Sequence, residues 1–263
     1  MKNILNKVML RYAATFREFP RVIELIHKRG ERVIVDYAKE NCRLSEAYEI
    51  AETTKKLITS VPGGSMCAIK LTSFGSRESE TDARDYAHSI IKHAKMRGVK
   101  ICIDAEDVLY PEICYTMMAE HNTKDDVHVY KTYQMYRRFA ITELTSDIKD
   151  AQLDGFKLGV KLVRGAYLKR QPGLLNTKSS VDKQYTQGMA YSLACPNTHT
   201  MLATHNERSL MCAKMFDKSQ YVTAQLLGLG KNVDIDYRYV PVGTLLELTP
   251  YLLRRLKERM SWD

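Results

Sequence analysis

The sequence predicts an α/β protein of the (β/α)8 TIM-like barrel class, with an N-terminal helical extension ahead of the barrel and a C-terminal helix over its mouth. Three observations predict it. Short β-branched runs recur at roughly thirty-residue intervals, and each is followed by a longer stretch with helical periodicity, the spacing of repeated βα units. Several runs are almost wholly apolar, Ile101-Cys102-Ile103 among them, as parallel strands covered on both faces require. Eight such units within 263 residues account for a barrel. A doubly wound open sheet has the same alternation, but no GxGxxG loop follows the first strand.

Taken in order, residues 1–30 form the helical extension and residues 31–263 the barrel domain. The first twenty residues carry Lys2, Lys7, Arg11 and Arg17 against the single acidic Glu18, which suits a basic helix. A mitochondrial presequence has a similar charge balance, although this stretch lacks the usual serines. The predicted strands are Arg32–Asp36, Cys67–Leu71, Lys100–Asp104, Val127–Tyr133, Gly159–Val163, Thr200–Ala203, Tyr221–Leu226 and Tyr237–Pro241. The basic stretch Leu168–Gln184 reads as a solvated loop. Near the end, helical spacing puts Leu245, Leu248, Leu252 and Leu256 on one side and Tyr251, Arg254, Arg255 and Glu258 on another.

The formal net charge of +9 suits anionic partners: nucleic acid, an anionic lipid surface or small anions. Lys and Arg are spread along the chain without an aromatic-interleaved patch, which argues against nucleic acid. No apolar run approaches the roughly 20 residues that span a bilayer, so any membrane contact is expected to be peripheral. The six cysteines form no CxxC pair and read as reduced core residues, and the seven histidines form no HExxH motif, so no metal site is expected.

Polar residues gather where the predicted strands end, and the C-terminal strand ends of a barrel form its active-site mouth. Asp36 and Tyr37 follow the first strand, Lys70 ends the second, Asp104 and Glu106 close the third, and Gln134 follows the fourth. Lys161, Arg164 and Tyr167 surround the fifth; Thr204, His205 and Asn206 follow the sixth; Gln225 lies in the seventh and Tyr239 in the eighth. Each also has an ordinary explanation, such as a helix cap at Asp104, a core histidine at His205 or a backbone-bonded Gln225. Lys161 is the most informative, because a charge inside Val160-Lys161-Leu162-Val163 must be paired or face a polar cavity. Lys70, after Ala68-Ile69, invites the same reasoning. Adding Arg254 and Arg255, whose guanidinium forks match carboxylate or phosphate bidentately, makes an anion-attracting mouth. Asp104 would balance that charge and orient the cations.

These motifs resemble the proline dehydrogenase (proline oxidase) family, its eukaryotic-type members in particular. The resemblance rests on Ala68-Ile69-Lys70-Leu71-Thr72, Ile103-Asp104-Ala105-Glu106, Thr132-Tyr133-Gln134-Met135-Tyr136 and Lys161-Leu162-Val163-Arg164-Gly165-Ala166-Tyr167. It continues through Ala203-Thr204-His205-Asn206, Gln225-Leu226-Leu227-Gly228, Tyr239-Val240-Pro241-Val242-Gly243 and the Tyr251 to Glu258 helix. Each motif alone is weak, but their order and spacing are specific. The resemblance implies FAD-dependent oxidation of L-proline to Δ1-pyrroline-5-carboxylate, the first step of proline catabolism to glutamate, with electrons passed to a quinone.

It further implies that Arg254 and Arg255, assisted by Lys70, bind the substrate carboxylate, and that Tyr167, Tyr239 and Tyr251 wall the pyrrolidine ring. Asp104 would support the cations and Glu258 would pair with a neighbouring base. Gln134, Lys161, Arg164, Thr204, His205, Asn206 and Gln225 would contact the flavin. Family resemblance also suggests the matrix side of the mitochondrial inner membrane, with peripheral attachment; a cytoplasmic protein is the alternative. An inactive flavin-binding or scaffold remnant is the competing reading, against which stands the joint presence of Lys70, Asp104, Lys161, Tyr239, Arg254 and Arg255.

Overall fold

The computed structural model describes residues 11–165, 173–229 and 234–261, without the side chains from 254 onward. The chain divides into two compact units, Met1–Lys100 with Gln225–Asp263, and Ile101–Ala224.

In the first unit the short strand β1 (Ala14–Thr15) precedes helix α1 (Phe19–His27), whose Phe19, Ile23 and Ile26 are buried at helical spacing. Strand β2 (Arg32–Tyr37) follows, then α2 (Ala47–Ser60), β3 (Met66–Ile69) and α3 (Glu80–Met96). Ser79 caps α3 by accepting from Asp82 N at 3.2 Å, and Ala83, Ala87, Ile90, Ile91 and Ala94 form its buried stripe. Strand β4 (Lys100–Ile103) begins here: the Lys100 N–H donates to Ser65 O at 3.1 Å.

The second unit carries the rest of β4, α4 (Pro111–His121), β5 (Val129–Gln134), α5 (Ala140–Leu153), β6 (Leu158–Val163), α6 (Lys178–Ala194), β7 (Thr198–Ala203) and α7 (Glu207–Ala213). Strand β8 (Tyr221–Leu226) leads back into the first unit, which ends with β9 (Tyr237–Gly243) and α8 (Leu245–Ser261). Within the second unit β4, β5, β6, β7 and β8 pair in parallel in that order. Within the first, β9 pairs in parallel with both β1 and β2, and β2 with β3. The sheet order β1-β9-β2-β3-β4-β5-β6-β7-β8, with a further β8–β9 pairing, is the closed topology of a (β/α)8 barrel in which β2 to β9 are the eight staves.

All eight predicted strands form, with ends within two residues of those expected. Lys70 and Asp104 stand one residue beyond their strands, and Gln134 is the last residue of β5. Three readings are corrected. The stretch expected as a solvated loop turns helical at Lys178, where Thr177 caps α6 by accepting from Ser180 N. Leu245, assigned to the buried side of the last helix, is exposed, while Leu248 is buried and Leu252 packs against Ala13, Ala38 and Leu248. Among the cysteines only Cys67, Cys102 and Cys114 are buried; Cys42, Cys195 and Cys212 are partly exposed. Burial pushes the Cys102 and Cys114 thiols up to about 12.

Candidate active site

The first unit holds one cation at a strand end. Lys70, buried just past β3, is paired with the buried Asp36 of β2. Register explains the meeting: Asp36 lies opposite Ala68, so both polar groups reach the C-terminal ends of neighbouring strands. Tyr37, at the end of β2, donates its hydroxyl to Glu247 Oε1 at 2.8 Å. Burial, then this carboxylate, drives the Tyr37 phenol well above its ordinary range. Glu247 Oε2 also accepts from Thr244 N (2.8 Å) and Thr244 Oγ1 (3.0 Å), so the start of α8 is tied to the end of β2. Tyr239 in β9 and Tyr251 in α8 are both buried.

Gln225 is buried in β8, its Oε1 accepting from Arg238 Nη1 at 3.5 Å. Arg238 is itself buried and bidentate to Glu31, Nε to Oε2 at 2.9 Å and Nη2 to Oε1 at 2.7 Å. The Gln225 Nε2 has no hydrogen-bond partner among the described residues.

The second unit gathers the remaining described candidates. Lys161, in the interior of β6, is buried and paired with Asp104. Thr132, opposite Lys161 in register, approaches Asp104 Oδ1 at 3.5 Å. Gln134 donates Nε2 to the carbonyls of Ala105 (3.0 Å) and Glu106 (3.4 Å), while its buried Oε1 has no partner among the described residues. A buried amide oxygen left unmade is costly, so it marks a place where a donor belongs.

Arg164 is held on four sides. Its Nε donates to Asp182 Oδ1 at 2.6 Å, Nη1 to Thr204 Oγ1 at 2.5 Å and Nη2 to Ser209 Oγ at 3.0 Å. The guanidinium also stacks on the Tyr185 ring, 4.2 Å from its centre. Gly165 beside it has φ of 123°, and a Cβ there would lie 1.8 Å from the Tyr136 ring, so this turn admits no side chain. Asn206 uses its Oδ1 to accept from Ser209 N at 2.9 Å, capping α7, and Thr204 Oγ1 accepts from Asn206 N at 3.1 Å. His205 between them is exposed.

The structure therefore brings together Asp104 with Lys161, and Arg164 with Thr204 and Asn206. Tyr167 and the side chains of Arg254, Arg255 and Glu258 lie outside the described residues. Asp182, Tyr185 and Ser209 escaped the sequence reading. Asp182 and Tyr185 sit 18 and 21 positions beyond Arg164, Asp182 in the part of the helix that the sequence reading gives to the loop Leu168–Gln184 and Tyr185 just past it, and nothing local ties them to β6.

Comparison with known proteins places these features in a family. The chain is 29% identical over 93% of its length to the carbapenem antibiotics biosynthesis protein CarD of Pectobacterium carotovorum subsp. carotovorum, covering 76% of it. It is 29% identical over 66% of its length to the hydroxyproline dehydrogenase of Mus musculus, covering 46% of that protein. With the mitochondrial proline dehydrogenase 1 of Homo sapiens it shares 27% identity over 65% of its length, covering 34%. The chain thus spans less than half the length of these two relatives. Among solved structures, proline utilization A (PutA) from Bdellovibrio bacteriovorus inactivated by N-propargylglycine aligns with a TM-score of 0.84 over 97% of this chain and 33% of its own, at 19% identity. That likeness is one of fold. The family model described as proline dehydrogenase matches residues 19–262, so the chain belongs to the proline dehydrogenase family of oxidoreductases.

Proposed function

We propose that the chain oxidises L-proline to Δ1-pyrroline-5-carboxylate with FAD as hydride acceptor and passes the electrons to a quinone. The observation that carries the reading is the family match across residues 19–262, which spans every strand end of the candidate site. The side chains present suit a flavin. Gln134 offers an unpartnered buried oxygen, and Lys161, Arg164 and Thr204 offer cationic and hydroxyl donors of the kind that flavin carbonyl and phosphate oxygens accept. Asn206, His205 and Gln225 complete the proposed set.

When bound, FAD would supply the acceptor for the hydride, with a quinone as the final electron acceptor. The chain's own residues orient the substrate. Arg254 and Arg255 take the proline carboxylate with Lys70 assisting, and Tyr167, Tyr239 and Tyr251 wall the ring. Asp104 holds Lys161 in place, and Glu258 pairs with a neighbouring base. As hydride leaves the ring carbon beside nitrogen, a C=N bond forms, and the amine must be neutral to supply its electron pair. With no dedicated base in the proposed set, turnover rises with pH.

Among the described residues no helix is long and apolar enough to cross a membrane. The proposed quinone partner is reached by peripheral attachment, for which the +9 net charge supplies attraction to anionic lipid. The relatives named as mitochondrial favour the matrix face of the inner membrane as its place. The test is a turnover assay with FAD, L-proline and a soluble quinone, with the product trapped as an o-aminobenzaldehyde adduct. Adduct that forms faster from neutral to alkaline pH is expected; a flat profile counts against the neutral-amine step, and no adduct at any pH against the activity.

A further inference from the structure

Resting on that reading, we infer that Asp182 is a positioning residue for the cofactor, acting through Arg164. A guanidinium has five N–H groups in one plane, and its direction is set only when several are engaged. Asp182 takes the Nε of Arg164 at 2.6 Å, the stem side of the fork, while Thr204 and Ser209 each take one N–H from a terminal nitrogen. One N–H on each terminal nitrogen is left over among the described residues. The Tyr185 ring, its centre 4.2 Å from the guanidinium carbon, backs the group from the α6 side. Asp182 and Tyr185 lie three residues apart on one face of α6, so the helix grips the guanidinium by charge and by stacking together.

This arrangement differs from a surface ion pair. Arg164 and Asp182 retain side-chain exposures of 22% and 34%, and an isolated pair that wet contributes little to stability. Its value is directional. With Nε occupied by Asp182, the two terminal nitrogens cannot swing toward α6 and stay turned toward β7 and the start of α7, where Thr204 and Ser209 stand. Removing the carboxylate frees the fork to rotate, and an anion then has to order it on binding, which weakens affinity.

The experiment titrates flavin-free protein with FAD, following flavin fluorescence, for wild type, Asp182→Ala, Asp182→Asn, Arg164→Met and the Arg164→Met double variants. Asp182→Ala is expected to lose about tenfold or more in affinity. Asp182→Asn, which keeps an oxygen acceptor, loses less. In the doubles the Asp182 change adds nothing to the Arg164→Met loss, because the carboxylate acts only through the guanidinium. Should Asp182→Ala fail to fold, Asp182→Asn alone and with Arg164→Met decides by the same non-additivity. Wild-type affinity in the Asp182 variants, or losses that add to that of Arg164→Met, overturns the inference. A wild-type protein that binds no FAD overturns the inference together with the flavin reading, and is recognised before any variant is compared.

Discussion

Lys70 and Lys161 are both legible in the sequence as problems, and for Lys161 the answer is legible too, since Asp104 is expected there to orient the cations; the Asp36 partner of Lys70 is not. Each follows or interrupts an apolar run, and a lysine so placed must find a partner or a polar cavity. The partners, Asp36 for Lys70 and Asp104 for Lys161, stand 34 and 57 residues away and were brought there by strand register. Removing either carboxylate strands a buried ammonium, the costly half of a buried pair. Tyr239 poses a specificity question at the same scale, since it is buried at the eighth stave and is proposed to lie over the substrate ring. A phenol there crowds a ring hydroxyl, so proline is the expected substrate over hydroxyproline. Tyr239→Ser should narrow the ratio of kcat/KM for the two imino acids by about tenfold, within the range one steric group supplies. Equal efficiencies on both substrates in the wild-type protein would overturn the assignment.

At the scale of elements, β5 shows how one strand serves two layers. Side chains alternate along it, so Thr132 and Gln134 reach toward Asp104 and the β4–α4 loop while Lys131 and Tyr133 face α5. Lys131 is buried between Glu143 at 2.8 Å and Asp147 at 2.6 Å, and Tyr133 donates to the same Asp147 at 2.6 Å. Burial pulls Lys131 down, but the carboxylates of Glu143 and Asp147 outweigh it and leave its pKa raised above the ordinary lysine value. A raised folded-state value means that the lysine's contribution is whole below the ordinary lysine pKa and fades as pH rises through the higher one. Lys131→Met should therefore cost about 3 kcal/mol in denaturant unfolding at neutral pH, with the gap from wild type closing only in strong alkali. A gap that closes between neutral pH and the ordinary lysine value would show that the cluster does not hold the charge. None of this cluster was singled out beforehand, because an outward lysine on a strand looks like any solvated lysine until the covering helix supplies acids at i and i+4.

For the molecule as a whole, the eight staves were legible because burial on both faces leaves continuous apolar runs, and the closing pairing of β8 with β9 follows from their number. The Ala14–Thr15 strand was not. Two residues carry no alternation, and its pairing is dictated by Val242 and Gly243 far along the chain. Polar residues at strand ends were readable for the same reason as the strands; Asp182, Tyr185 and Ser209 on α6 and α7 were not, because nothing in those helices' own sequences says which face packs against Arg164. The proposed chemistry places at these strand ends a flavin that takes hydride from proline. The visible spectrum of the purified protein loaded with FAD, recorded without oxygen before and after L-proline is added, tests this. Bound-flavin bands that bleach on addition are the predicted result; no bound flavin, or bands untouched by proline, would contradict it.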